Sequence, residues 1–153
     1  MAGYDRITPE GRRFLGELEE LAMLEVFVGY QHGEAAEENG ADLMEVAAFN
    51  ELGTSAIPSR PFIRNAFDHN ADKINAMYER QAGKIANGGT AEDCLKEMGE
   101  YGVRLIQEEI REGDFTPNAP NTIRRKGSDK PLIDTGRMRQ SVHYVIRRKG
   151  AGT

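Results

Sequence analysis

Apolar residues recur at helical spacing in three stretches of the chain. The i, i+3, i+4 pattern runs through residues 8–22, through residues 61–86, and from Thr90 to a stop at Gly113. This period places apolar side chains along one face of a helix. We therefore predict three helices, and the short turn at 87–89 predicts that the last two pack as an antiparallel pair.

A shorter helix is predicted at residues 42–51. Asp42 can act as its N-cap, and the pattern places Val46 and Phe49 inward before the helix ends at Gly53.

Two prolines define the connection that follows. Pro58 and Pro61 disfavour helical conformation at the residues that precede them. They predict a rigid, partly extended bridge into the helix that begins near Pro61. This bridge would display the side chain of Arg60 and bury that of Phe62.

Two stretches alternate apolar and polar residues as strands do. The first covers residues 23–31, and the second places Val142, Tyr144 and Ile146 on one face. We expect these strands to pair. The fold class is therefore α+β, in which a small antiparallel β-sheet packs against two long antiparallel helices, with short helices and long loops. The length of 153 residues is typical of a single domain, 1–153.

The remaining segments are polar. Residues 33–40 predict an exposed acidic loop, and residues 114–131 a long loop interrupted by a helical turn at 121–125. Asp134 or Thr135 could cap a short turn before the last strand, and residues 147–153 form a basic tail.

Three small residues in the last long helix carry further expectations. Gly99 and Gly102 cost helix stability relative to alanine, which favours a close approach of a neighbouring element, although a tolerated accident fits as well. Cys94 is the only cysteine, and its place in the apolar pattern predicts a buried thiol.

Charge divides the chain. Residues 1–113 hold 22 acidic and 11 basic residues, whereas residues 114–153 hold 3 acidic and 9 basic ones. Such asymmetry is typical of an interaction surface. No apolar run reaches the length of a membrane span, and the N-terminus lacks the pattern of a signal peptide, so we expect no membrane contact and assembly in a reducing cytoplasm.

The sequence contains no strong pattern of a catalytic site. The three histidines show no metal-ligand spacing, and there is no phosphate-binding loop or nucleophile elbow. Asp68 and Asp72, with the adjacent Glu108 and Glu109, would permit a metal-dependent nuclease but are typical of solvated helix faces. Asp134-Thr135-Gly136 lacks the β-rich context of an aspartic protease. We expect no enzyme, cofactor, metal or small-molecule substrate.

Two motifs remain. Residues 50–54 read Asn-Glu-Leu-Gly-Thr and run into Ile-Pro-Ser-Arg-Pro-Phe-Ile-Arg at 57–64, and residues 131–136 read Pro-Leu-Ile-Asp-Thr-Gly. In this order and spacing they resemble the neck and tail-completion proteins of tailed phages, a family also described as head-tail joining, minor tail or virion morphogenesis proteins. The resemblance spans about residues 26–144.

This resemblance implies a structural virion protein at the head-tail interface. Its partners would be other copies of itself in a ring, a hexamer in preference to a dodecamer, together with neighbouring connector and tail proteins. Weak contact with DNA in the channel is compatible with it. The alternative function is a DNA-binding accessory module that uses the basic C-terminal quarter.

The docking residues would lie in the two charged loops and in the first motif. Charge and expected exposure, with few local partners, single out these loops. The candidate interaction residues are Glu34, Glu37, Glu38, Arg60, Phe62, Arg64, Arg124, Arg125, Lys126 and Lys130.

Overall fold

The structure is a computed structural model that describes residues 6–37, 40–120, 122, 124, 132 and 136–150. Within these residues the chain forms six helices and a two-stranded sheet, an α+β fold as predicted. The elements in chain order are α1 (Pro9–Met23), β1 (Leu24–Gly29), α2 (Leu43–Leu52), α3 (Phe62–Asp68), α4 (Ala71–Ala86), α5 (Ala91–Glu112), α6 (Arg137–Gln140) and β2 (His143–Arg148). In the described ranges no helix is both long and apolar enough to cross a membrane.

The predicted strand pairing is confirmed. β1 and β2 run antiparallel, from Leu24 opposite Arg148 to Gly29 opposite His143. Residues 24–29 and 143–148 thus meet in one sheet, and the sheet packs on α5. The expected basic tail over residues 147–153 is therefore wrong at Arg147 and Arg148, which belong to β2, and residues 151–153 lie outside the described residues.

The sheet lies directly on the two glycines of α5. A Cβ atom on Gly99 would lie 2.5 Å from the ring of Tyr144, and one on Gly102 would lie 3.0 Å from Val28. Because real Cβ atoms do not approach other atoms as closely as the first of these distances, Gly99 is required for this packing. The expected close approach is confirmed, and side chains of both strands make it.

The helix predicted over residues 61–86 is wrong as a single element. It is broken at His69 and Asn70, so α3 ends at Asp68 and α4 begins at Ala71. The side chain of Asn70 donates a hydrogen bond to the carbonyl oxygen of Ala66 at 2.7 Å. Such local bonds compete with the helical pattern of the backbone and end the helix.

The predicted cap of α2 is confirmed, because the Asp42 carboxylate accepts a hydrogen bond from the Met44 amide at 3.0 Å. The inward placement of Phe49 is wrong, since its side chain is 48% exposed. Leu43 and Ala47 are the buried residues of α2. Phe49 lies about 200° around the helix from Ala47, at 100° per residue, and therefore faces outward.

The core joins α2, α3, α5 and the segment before β2. Its largest fully buried side chains are Phe62, Leu43, Ile106 and Ile110, while Ile85 of α4 is fully buried outside this cluster. Tyr30 packs edge-on against Phe62 with ring centroids 6.3 Å apart, and its hydroxyl donates a hydrogen bond to the Met138 carbonyl at 2.6 Å.

The long loop is described in part. Residues 113–119 carry no regular structure, and Thr122 and Arg124 are helical; the other residues of the predicted turn at 121–125 lie outside the described residues. The short helix α6 has Gly136 as its N-cap, with a φ of 82°. Asp134 and Thr135, the predicted caps, lie outside the described residues.

Candidate interaction surfaces

Hydrogen bonds connect residues within the first motif, residues 50–64. The Glu51 carboxylate accepts the backbone N–H groups of Ile63 at 2.8 Å and Arg64 at 3.0 Å. These are unpaired donors of the first turn of α3, whose N-cap Pro61 supplies no side-chain bond. A carboxylate at the positive end of a helix dipole is stabilising. Glu51 therefore joins the end of α2 to the start of α3.

The turn between these helices is similarly fixed. The Thr54 hydroxyl accepts N–H groups from Ala56 at 3.2 Å and Ile57 at 3.0 Å. Gly53 has a φ of 76°, and a Cβ atom there would lie 2.9 Å from the Ser59 nitrogen. Only glycine suits this position, which explains the Gly-Thr pair of the motif.

Arg60 is buried, and its predicted display on the surface is wrong. Its side chain is only 6% exposed. Nε donates to the Thr116 carbonyl at 2.8 Å, and Nη2 donates to Asn118 Oδ1 at 3.1 Å. Burial lowers the pKa of Arg60. Its role is to hold the 113–119 segment against the bridge, because a guanidinium can bond several oxygens at once.

The other two candidates of this motif differ from each other. Phe62 is fully buried beneath Tyr30, as the bridge predicted, and so it offers no surface to a partner. Arg64 is exposed at the start of α3. Of the three candidates of this motif, only Arg64 can contact another molecule.

The acidic loop is tied to the body of the protein. His143 Nε2 lies 3.2 Å from the Glu34 carboxylate, and Arg137 donates to the Ala36 carbonyl at 2.8 Å. Glu37 forms a backbone hydrogen bond from its N–H to the Ala41 carbonyl at 2.9 Å. The expectation that this loop has few local partners is therefore wrong for Glu34, and Glu38 lies outside the described residues.

Asp42 fixes the base of the same loop. Besides capping α2, its carboxylate accepts the Gly33 N–H at 2.9 Å and lies 2.6 Å from His32 Nδ1. The hydrogen bonds from Gly33 and Met44 lower the pKa of Asp42, and the charge of His32 adds to the effect.

The basic loop is placed only at Arg124, which is exposed. The other three basic candidates of this loop, Arg125, Lys126 and Lys130, lie outside the described residues. The structure shows a different basic site, a cleft of about 320 Å³ between α5 and α6. Its lining residues are Arg104, Gln107, Glu108, Arg111, Arg139 and Gln140.

This cleft joins residues from both charge regions of the sequence. Gln107 donates to the Arg139 carbonyl at 3.1 Å and so attaches α6 to α5. With three arginines against Glu108, the lining carries a net positive charge. Spacing along α5 could have indicated Arg104 and Arg111, but their meeting with Arg139 depends on the tertiary fold.

Exposed apolar side chains are concentrated on two helices. In the part of the chain that the structure describes, nine large hydrophobic residues are exposed, and six of them belong to α1 and α2. On α1 these are Leu15, Leu18 and Met23, and on α2 they are Met44, Phe49 and Leu52. We call the two sets the α1 face and the α2 face.

The α1 face lies on a helix that has no fully buried residue. Polar contacts attach α1 to the body of the protein where α4 ends and α5 begins. Arg13 donates to the carbonyls of Gly89 at 2.8 Å and Ile85 at 2.5 Å, and Glu17 accepts the Ala91 N–H at 2.7 Å. The apolar residues of α1 are thus only partly used inside the molecule.

The α2 face is the most exposed apolar feature of the described residues, with Leu52 at 73% exposure. α2 is apolar on most of its circumference, a composition typical of a helix covered on both sides. This apolar composition could have indicated the α2 face from the sequence. The prediction that Phe49 points inward assigned one residue of that face to the core instead.

Sites for metals or reactive groups are not evident in the described ranges. No group of three histidine, cysteine, aspartate or glutamate residues there could hold a metal ion. Cys94 is buried as predicted, its thiol donates to Gln81 Oε1 at 3.2 Å, and burial, aided by the charge of Glu97, raises the pKa of the thiol. Comparison of the chain with known proteins finds no matching family model, curated protein or solved structure.

Proposed function

We propose that this chain is a structural subunit of the head-tail interface of a tailed-phage particle, where it forms or joins a ring that connects the tail to the head. The single observation that carries the proposal is the exposure of apolar residues on α1 and α2. Large apolar side chains that stay exposed in a group are typical of a protein–protein interface. The motif resemblance supplies the identity of the assembly.

The internal contacts of the motif support a role in fixing the geometry of the connection between α2 and α3. Glu51, Gly53, Thr54 and Arg60 all make internal contacts that fix the connection from α2 to α3. A rigid connection keeps the α2 face in a defined orientation relative to the core. Ring proteins need this property, because small errors in the angle between subunits prevent closure.

In a ring, each copy would contact its neighbours and the rings above and below. Several weak contacts then act together through their high effective concentration, so a subunit can be monomeric in solution and still assemble firmly. We propose a hexamer on the tail side of the neck, within the virion.

The test is to measure the mass of the purified protein by light scattering across a concentration series, alone and with purified tails of the phage or prophage that encodes it. A ring, or a monomer that co-sediments with tails, is the expected result. A protein that forms no ring and does not bind tails at any concentration would exclude the proposal.

A DNA-binding accessory function is the second candidate, and the cleft of Arg104, Arg111 and Arg139 favours it. One guanidinium group can donate two parallel hydrogen bonds to the oxygens of a phosphate group. The test is retention of labelled duplex DNA at physiological salt. Binding by the wild type that is lost in Arg104→Ala and Arg139→Ala would support this function, and no retention of the wild type would exclude it.

A further inference from the structure

The cleft between α5 and α6 brings together guanidinium groups that have no acidic partner. Arg104 and Arg139 both line it. Among the described residues, no acidic side chain forms an ion pair with either of them. Glu108 lines the same cleft, and the third arginine, Arg111, pairs through Nε with Glu112 at 2.7 Å. The charges of Arg104 and Arg139 are therefore not neutralised by ion pairs in this part of the chain.

Arg139 is positioned by contacts that do not use its guanidinium group. Its backbone carbonyl accepts the Gln107 amide at 3.1 Å, and the preceding carbonyl, that of Met138, accepts the Tyr30 hydroxyl at 2.6 Å. The side chain of Met138 is buried in the core. Two long-range donors and one buried side chain thus fix α6 against α5. The fold itself holds Arg139 beside the cleft.

Arg104 is held on the α5 side of the cleft by an aromatic ring. Its guanidinium carbon lies 5.7 Å from the centroid of the Tyr101 ring. A cation–π contact orients a guanidinium group, but the N–H donors in the plane of that group stay available for hydrogen bonds. Both arginines therefore bring donors to the cleft that other contacts in the described residues do not occupy.

The chemistry of the cleft fits a phosphate group. Like charges that are fixed near each other repel, and a bound anion removes this repulsion. A phosphate group carries a charge of about −1.5 to −2 at pH 7 and three strong acceptor oxygens, so it can bond two guanidinium groups at once. The volume of about 320 Å³ lies near the lower limit of ligand sites, roughly 300–1,000 Å³. A small anionic group suits such a cleft.

We propose that the cleft between α5 and α6 is a binding site for a phosphate group, which Arg104 and Arg139 bind from its two sides. The site goes beyond both functions proposed above, because it needs no ring and because a phosphate group on a small molecule would serve as well as one on DNA. Glu108 opposes binding through the charge of its carboxylate.

The test is a titration of the full chain with inorganic phosphate at pH 7, in which sodium chloride keeps the ionic strength constant. NMR follows the side-chain Nε–H signals of the arginines. Those of Arg104 and Arg139 should move with phosphate until they saturate, and chloride alone should leave them in place. Phosphate that moves neither signal would overturn the inference.

Four variants separate the site from the overall charge of the protein. Arg104→Gln and Arg139→Gln should each weaken phosphate binding about tenfold, because each removes charge-assisted hydrogen bonds. Arg12→Gln removes the same charge from an exposed position on α1, outside the cleft, and should change binding by less than about twofold. Glu108→Gln should strengthen binding about threefold, since it removes a repelling charge.

Two results with these variants would contradict the site. Equal weakening by Arg12→Gln and the cleft variants would show that phosphate responds only to net charge. Unchanged or weaker binding by Glu108→Gln would show that phosphate does not enter the cleft. This second result decides the matter even if an arginine variant fails to fold, because Glu108 is exposed.

Two competitors identify the source of the phosphate group and keep this inference apart from the DNA-binding candidate. Displacement of phosphate by a short DNA duplex would support the site and identify a nucleic acid as the source. Displacement by a mononucleotide but not by the duplex would also support the site and would remove the DNA-binding candidate. Retention of duplex DNA by both arginine variants, with no response to phosphate, would remove the site and leave DNA binding to another part of the chain.

Discussion

Arg60 donates a hydrogen bond from Nε to the carbonyl oxygen of Thr116 at 2.8 Å, across 56 positions of sequence. This bond connects the Pro58–Pro61 bridge to the segment that leaves α5. Asn118 accepts a second bond from the same guanidinium. The arginine of the motif therefore stabilises the fold.

Replacement of Arg60 by alanine should lower the free energy of unfolding by about 3 kcal/mol, because it removes a buried side chain together with its charge-assisted hydrogen bonds to Thr116 and Asn118. Arg64→Ala, at an exposed position four residues away in sequence, should change the free energy of unfolding by less than about 0.5 kcal/mol. Urea denaturation of both variants measures the difference. Equal stabilities would contradict the structural role of Arg60.

Gly99→Ala should destabilise the protein by about 1–3 kcal/mol, since the new methyl group would overlap the Tyr144 ring. Gly83→Ala is the matched control: it lies at an exposed position of α4, where no atom outside the helix backbone is within 4 Å of the added carbon. It should stabilise the protein by about 1 kcal/mol through helix propensity. Thermal unfolding of the two variants should shift in opposite directions, and shifts of the same sign would argue against the packing of β2 on α5.

Cys94 should resist thiol reagents in the folded protein. The thiol is buried, and its raised pKa reduces the thiolate fraction at neutral pH. Labelling by a chromogenic disulfide at pH 8 should be slow in buffer and complete within minutes in concentrated urea. Fast labelling in buffer would mean that α4 separates readily from α5.

Asp42 should make the free energy of unfolding depend on pH in the acidic range. Its pKa is lower in the folded state than in the unfolded chain, so its contribution is fully present above the ordinary aspartate value and is lost as pH falls through the lowered value. Asp42→Asn should therefore be less stable than wild type at pH 7.

The comparison should be made by urea denaturation at several pH values from 7 down to 2.5. The gap between wild type and Asp42→Asn should narrow as the aspartate is protonated. A constant gap across this range would show that the carboxylate charge is not the stabilising feature.

Local signals predicted most elements of the fold. Asp42, the predicted N-cap of α2, accepts the Met44 amide of the first turn. Alternation in residues 142–146 predicted the strand that pairs with β1. These features depend on neighbours within a few residues, which a sequence pattern contains.

The errors arose where the pattern allowed two outcomes. Apolar spacing continues through residues 61–86, but the Asn70 side chain bonds the Ala66 carbonyl and ends α3. Phe49 fits an inward position by spacing alone, yet Leu43 and Ala47 take that side. A helix with apolar residues on most sides does not reveal which side the core covers.

The sequence by itself predicted the cap of α2, the two strands and the burial of Cys94, whereas the contact with Tyr144 that requires glycine at position 99 appears only in the tertiary structure. Only the tertiary structure decided that Arg60 turns inward to Thr116, that Arg139 meets Arg104, and that Leu15 and Leu52 stay in water. The physical reason is the distance along the sequence over which each interaction acts. Capping and periodicity depend on residues within one or two helical turns, whereas burial depends on which distant segments pack into the same core.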